Sequence, residues 1–193
     1  LKPMNCPQHT QLFAAQSRSY KDLPVRFADF SLLCRDEKPG ELQGLSRLRS
    51  FSQYDAHCFC MEGQIEEEFT LLLDAVHRTM ALYKMNYRIR LSLRNEKKKK
   101  EYLGDDALWE KSQTLLTQLL KKKNVTHFIA EGEAAFYGPK MDLLAYDAIG
   151  REVQLSTIQL DLNMAKRFGL EYIDAEGNKQ TPVMIHSALV GSP

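Results

Sequence analysis

The chain has 193 residues, enough for one well-buried core, and its 44% hydrophobic and 26% charged side chains are the balance of a globular domain. Lys+Arg 26 against Asp+Glu 25 leaves a net charge of +1, which excludes a global field for nucleic acid, so any such contact needs a local patch. No apolar run approaches the ~20 residues of a membrane span, and Leu1-Lys2-Pro3 does not read as a signal peptide.

In chain order, residues 8–19 carry Leu12, Phe13 and Ala15 in a predicted helix, with Pro7 near its first turn. Residues 25–35 alternate as a strand, Asp36–Ser46 form a loop with Pro39-Gly40 at its tip, and residues 47–60 return as a second strand. Ile65, Phe69, Leu72, Leu73, Val76, Met80 and Tyr83 share one face of a helix predicted over 62–83. Tyr87, Ile89, Leu91 and Leu93 alternate as a strand, Glu96–Glu101 is a lysine-rich turn, and residues 106–123 form a helix capped by Asp105 or Asp106. Strands follow near 127–130, 139–147, 151–162 and 181–187, with tight turns at Gly150-Arg151 and Asp174–Asn178. Hairpins between long helices predict an α+β domain, an antiparallel sheet flanked by helices. The absent initiator Met and the turn signal Val190-Gly191-Ser192-Pro193 lead us to expect a fragment of a longer protein.

Cys6, His57 and His186 sit far apart in short stretches of unusual polarity. One thiolate and two imidazoles suit Zn²⁺, and three protein ligands leave a position open, as in a catalytic rather than a structural site. Cys34, Cys58 and Cys60 make a poorer set, because Cys58 and Cys60 lie on the strand face opposite His57 with C-x-C spacing; they read as core thiols. With no secretory signal, the four cysteines are expected to be reduced or metal-bound, in a cytoplasmic protein. Along the second strand Arg47, Arg49, Phe51, Gln53, Asp55 and His57 alternate onto one face, a polar row with one aromatic. Arginine forks suit phosphate, and an aromatic ring suits a purine.

Arg35-Asp36-Glu37, a loop, then Arg47-Leu48-Arg49-Ser50-Phe51 resembles motif 2 of the class II aminoacyl-tRNA synthetases. Lys2–Pro7, Arg47–His57, Glu131–Lys140, Thr157–Asp161 and Pro182–His186 are similar, in order, to the catalytic core of the threonyl-tRNA synthetase family. That resemblance implies a class II synthetase-like fold and a zinc ion on Cys6, His57 and His186 that takes the amine and hydroxyl of threonine. It implies threonine contacts at Met4, Gln53, Asp55, Tyr137 and Gln159. ATP, with Mg²⁺, would meet Arg35, Glu37, Arg47, Phe51, Lys140, Gln154 and Thr157, and Arg35 and Lys140 would carry the catalytic charge. Thr157, Gln159 and Asp161 share a face by parity and Gln154 does not, so a bulge is expected near Ser156. The implied reaction forms threonyl-adenylate and transfers threonine to tRNA(Thr), in a protein expected to be a homodimer at full length.

The resemblance also implies that residues 1–193 are a single catalytic core, truncated before motif 3 and lacking motif 1, the editing domain and the anticodon-binding domain. Gln8, Gln43, Leu155, Ser156 and Ser187 depart from the family pattern without removing a ligand. A non-catalytic synthetase-like ligand sensor or RNA-binding regulator is the competing reading. The run Lys97–Lys100 reads as a solvated turn, and His9, His77 and His127 carry no predicted role.

Overall fold

Alternating strand segments build one seven-stranded sheet, and the computed structural model describes residues 1–44 and 47–190 of it and its surroundings. Leu45 and Ser46 of the expected loop, and Gly191-Ser192-Pro193 of the terminal turn, lie outside the described residues. The strands are β1 (Val25–Cys34), β2 (Ser50–Cys60), β3 (Tyr87–Leu93), β4 (His127–Glu131), β5 (Lys140–Tyr146), β6 (Glu152–Asp161) and β9 (Val183–Ala188). Their order is β1-β2-β9-β6-β5-β3-β4, antiparallel throughout except for the parallel β3–β4 pair. A separate two-stranded ribbon joins β7 (Tyr172–Ile173) to β8 (Lys179–Gln180) around the expected Asp174–Asn178 turn. The α+β class is the one expected.

Helices α2 (Ile65–Tyr83) and α3 (Asp106–Lys122) cover one face of the sheet. Their buried stripes, Ile65, Phe69, Leu73, Val76 and Met80 with Leu116, Leu119 and Leu120, meet Cys58, Cys60, Leu91, Met141, Leu143, Ile158, Leu160 and Ile185 from the strands. Asp105 caps α3 by accepting the Leu108 N–H at 2.8 Å, as expected. On the other face a smaller cluster forms around Phe13, Phe59, Leu170 and Met184. It anchors α1 (Cys6–Ala14) and the short α4 (Met164–Arg167) at one end of that face.

Some elements differ from expectation. Helix α1 runs over Cys6–Ala14 and not 8–19, because Arg18 turns back to donate to the Phe13 carbonyl at 3.2 Å and Ser19 opens a new turn with Asp22. Strand β2 begins at Ser50, and Arg47 instead forms an isolated bridge to Gln43. The lysine-rich turn is a 3₁₀ segment, Glu96–Glu101.

The uncovered sheet face matters most for function. Antiparallel register puts directly opposed residues on the same face, so side chains form rows across the strands. One row reads Phe27, His57, His186, Gln159, Lys140, Ser92. The next reads Asp29, Asp55, Ala188, Thr157, Asp142, Arg90.

Candidate active site

His57 and His186 face each other across the β2–β9 ladder, and Cys6 reaches them from the first residue of α1. The Cys6 Sγ lies 3.0 Å from His57 Nε2 and 3.6 Å from His186 Nδ1, and all three ligand atoms lie within 4.8 Å of one another. The edges of a tetrahedral zinc site with S and N donors are ~3.5 Å, so the set fits the ion by chemistry and by spacing. Among the described residues no fourth His, Cys, Asp or Glu joins the group. Burial, reinforced by the neighbouring His186 and His9, pushes the His57 pKa down to about 2, which keeps it in the neutral form that a metal requires. Burial acts the same way on His186, but hydrogen bonds to Asp161 and Cys6 outweigh it and raise the pKa to about 9. A bound cation would displace that proton.

Each imidazole is held from behind. His186 Nε2 meets Asp161 Oδ2 at 2.8 Å, and Asp161 Oδ1 is fixed by the backbone N–H groups of Asn163 and Met164 at 2.8 and 2.9 Å. The Tyr137 ring stacks on His186 with centroids 4.7 Å apart, and its hydroxyl donates to Gln159. Burial raises the Tyr137 pKa well above the ordinary phenol value, so it remains a donor. His57 Nδ1 lies 2.7 Å from His9 Nδ1.

The trio opens into a cleft of about 300 Å³. Of the predicted site residues, Met4, Cys6, Arg35, Gln53, Asp55, His57, Tyr137, Thr157, Gln159 and His186 line it together. Asn5, fully buried, donates to Asp55 Oδ2 at 2.9 Å and accepts from Ser31 at 3.0 Å. Burial pushes the Asp55 pKa up, and the Asn5 hydrogen bond and the two nearby histidines oppose it.

The remaining predicted residues lie outside the cleft lining. Arg47 forms a fork on Glu37 at 3.0 and 3.1 Å, beyond the strand end. Phe51 sits beneath the Arg35 guanidinium, 5.0 Å from ring centroid to cation. Lys140 and Gln154 both bind the buried Asp142 carboxylate, at 2.8 and 3.0 Å, which also accepts from Ser92 at 2.7 Å and Arg90 at 3.0 Å. Gln154 reaches this face because the β5–β6 register shifts between Leu143 and Leu144, leaving Leu155 as the extra residue. Leu155 packs against the helix-covered core and does not line the cleft.

Sequence reasoning gave no role to Asn5, His9, Asp142 or Asp161. Asp161 shares strand parity with Gln159, and His9 follows Cys6 by one helical turn, so both signals were present. Asn5 and Asp142 act through cross-strand neighbours that the linear order does not show. Of the rival thiols, Cys58 and Cys60 stay in the core and Cys34 is half-buried at the end of β1; hydrogen bonding to Cys60 and burial push the Cys58 thiol up, and it donates to Glu68 at 3.2 Å. Gly138 lets the Tyr137 segment lie against β6, since a Cβ there would fall 1.9 Å from the Leu160 carbonyl oxygen.

Known proteins resemble this chain over its whole length. The threonine–tRNA ligase of Phocaeicola vulgatus is 46% identical over 195 residues, covering 100% of this chain and 30% of that protein. The threonine–tRNA ligase of Synechococcus sp. (strain CC9902) is 48% identical over 193 residues, 100% of this chain and 31% of its own length. The crystal structure described as the RNA binding domain of threonyl-tRNA synthetase from Cryptosporidium parvum Iowa II superposes with a TM-score of 0.93 at 40% identity. It covers 100% of this chain and 48% of its own. The chain thus spans about a third of the length of these curated relatives. The family model for the tRNA synthetase class II core domain (G, H, P, S and T) matches residues 1–192, and the chain belongs to that family.

Proposed function

We propose that this chain is the amino-acid-activating core of a threonine–tRNA ligase. The observation that carries this reading is the Cys6–His57–His186 set, open on one side, at a cleft that Asp55, Gln53 and Gln159 also line. Zinc, when bound there, supplies a Lewis-acidic position that an amine and a hydroxyl can occupy and a methyl group cannot. Asp55, oriented by Asn5, accepts from the ammonium or hydroxyl of threonine, while the Tyr137–Gln159 pair closes the pocket opposite. The threonine carboxylate oxygen then bonds to the α-phosphorus of ATP, the bond to pyrophosphate breaks, and no covalent enzyme intermediate forms.

Positioning and charge neutralisation carry that step. Arg35 presents its cation at the cleft above Phe51, an arrangement suited to a purine and its phosphates. Lys140 offers three donors, of which Asp142 engages one, leaving the ammonium able to meet developing charge on the α-phosphate. ATP enters as its Mg²⁺ complex, tRNA(Thr) receives the threonyl group, and the longer protein acts as a cytoplasmic homodimer. Residues 1–193 form a single catalytic core, with Glu37, Arg47, Gln154 and Thr157 completing the ATP contacts and Met4 bordering threonine. No helix among the described residues is long and apolar enough to cross a membrane.

Calorimetry on the zinc-loaded chain tests the recognition step. Threonine is expected to bind at least ~10²-fold more tightly than valine, the discrimination that a pocket with a specific hydroxyl partner exceeds and an apolar pocket only approaches. Equal affinities would overturn the reading.

A further inference from the structure

We infer that His9 is the positioning residue for the metal ligand His57, accepting the His57 Nδ1–H so that Nε2 is presented to zinc. The inference rests on the zinc reading above. It starts from one turn of α1. Cys6 and His9 are three positions apart on a helix and therefore share a face. That face grips a single imidazole from both ends: Cys6 Sγ lies 3.0 Å from His57 Nε2, and His9 Nδ1 lies 2.7 Å from His57 Nδ1.

A Cys-x-x-His pair on one helix turn usually suggests two ligands. Here the second member points at the far nitrogen of another histidine, and it stands outside the group whose ligand atoms converge. Two ring nitrogens at 2.7 Å share one proton. An imidazole that gives its Nε2 lone pair to a metal carries its proton on Nδ1, so His57 is the donor and His9 the acceptor. His9 then holds its own proton on Nε2.

The His9 ring is held for this role. It is 5% exposed, tilted against Phe27 with centroids 5.7 Å apart, and perpendicular to His57 at 4.8 Å. The two histidine ligands are thus fixed by different partners, His186 by a carboxylate and His57 by a second imidazole. Groups that orient a ligand in this way set its tautomer and its basicity, and their loss weakens metal affinity about 10–100-fold.

The test measures zinc affinity of the 193-residue chain by competition with a chromogenic chelator. His9→Asn keeps an acceptor, because the amide Oδ1 occupies the place of Nδ1 on the same γ-carbon. His9→Phe keeps the ring and its packing but removes the acceptor. His9→Phe is expected to lose about 10–100-fold in zinc affinity, and His9→Asn to stay within about threefold of the parent. Thermal melts of the metal-free proteins report folding, and His9→Leu replaces the Phe variant if that one does not fold. A His9→Phe chain that binds zinc like the parent, or a His9→Asn chain as weak as His9→Phe, would overturn the inference. Cys6→Ala separates the two levels. If the parent binds zinc and Cys6→Ala does not, an unchanged His9→Phe affinity refutes the role of His9 alone. If the parent fails to bind, or Cys6→Ala binds equally well, the zinc reading falls and the role of His9 falls with it.

Discussion

Replacing Gly138 by alanine perturbs the site through a single backbone contact. An ideal Cβ would lie 1.9 Å from the Leu160 oxygen, 3.0 Å from the Leu160 carbonyl carbon and 3.5 Å from the Asp161 Cα. All three are backbone atoms, so no side chain can rotate away. Reaching even 3.0 Å, below which real Cβ contacts essentially never fall, means separating the two backbones by about 1 Å. Strand β6 is hydrogen-bonded on both sides, to β5 and β9, whereas the Phe136–Pro139 segment is tied by isolated bonds. Those are Leu103 N–H to Phe136 O at 2.7 Å, Asn163 Nδ2 to Tyr137 O at 2.8 Å, Leu160 N–H to Pro139 O at 3.0 Å, Gly138 N–H to Ala135 O at 3.3 Å and the Tyr137 hydroxyl to Gln159. The segment therefore moves, and Tyr137 moves with it, while Lys140 stays laddered to β6 and β3. Overpacking of this kind costs ~1–3 kcal/mol, and a displacement near 1 Å of a positioning group costs about 10²-fold. Urea denaturation of Gly138→Ala should show that loss of stability, and calorimetry about a hundredfold weaker threonine binding. Zinc affinity should fall by less than threonine affinity, because the ligand backbones lie on α1, β2 and β9 and only the Tyr137 ring stacked on His186 is displaced. Parental stability together with parental threonine affinity would refute the reasoning. An equal loss of zinc and threonine binding would show instead that β6 yields.

Asp161→Asn keeps the shape and the Oδ1 acceptor for Asn163 and Met164 but removes the carboxylate facing His186 Nε2; zinc affinity should fall about 10–100-fold in a folded chain, measured by chelator competition. An unchanged affinity would sink that assignment. Arg26→Ala strands the buried Glu68 carboxylate, which Arg26 engages through two hydrogen bonds of 2.6 Å. The Arg26 side chain is 55% exposed, so the loss should be ~2 kcal/mol, below the ~3–5 of a fully buried pair. Adding Glu68→Gln should recover part of it, and a single variant as stable as the parent in urea would contradict the account.

Strands and long helices were legible because their periods repeat over many residues. The alternation in β1, β2 and β3 and the stripe of α2 each offer several independent matches to one template. Short elements offer no such repetition: α4 spans only Met164–Arg167, and β7 and β8 two residues each, so nothing distinguished them from loop. The parallel β3–β4 pair was also illegible, since strand order depends on contacts across the sheet rather than on local pattern. Within the site, residue types and parity were enough to mark Gln53, Asp55 and His57. They could not reveal that Lys140 and Gln154 meet on Asp142, because that carboxylate gathers partners from β3 and β6 as well as from its own strand.

The Leu155 bulge shows how the two faces of the sheet are reconciled. Between Gln154 and Thr157 an unbroken strand would send one side chain into the helix-covered core, at the cost of a buried amide. The extra residue restores parity. Gln154 joins Asp142 on the site face, Leu155 turns into the core, and the buried Ser156 donates its hydroxyl to the Leu189 carbonyl. Strand β6 thereby supplies two polar clusters with different neighbours. Gln159 and Asp161 support the metal end, and Gln154 joins the Arg90–Asp142–Lys140 cluster at the other. In the proposed reaction the first cluster reads the amino acid and the second sets the cation that meets the phosphate. Their separation along one anchored strand keeps those tasks at a fixed distance.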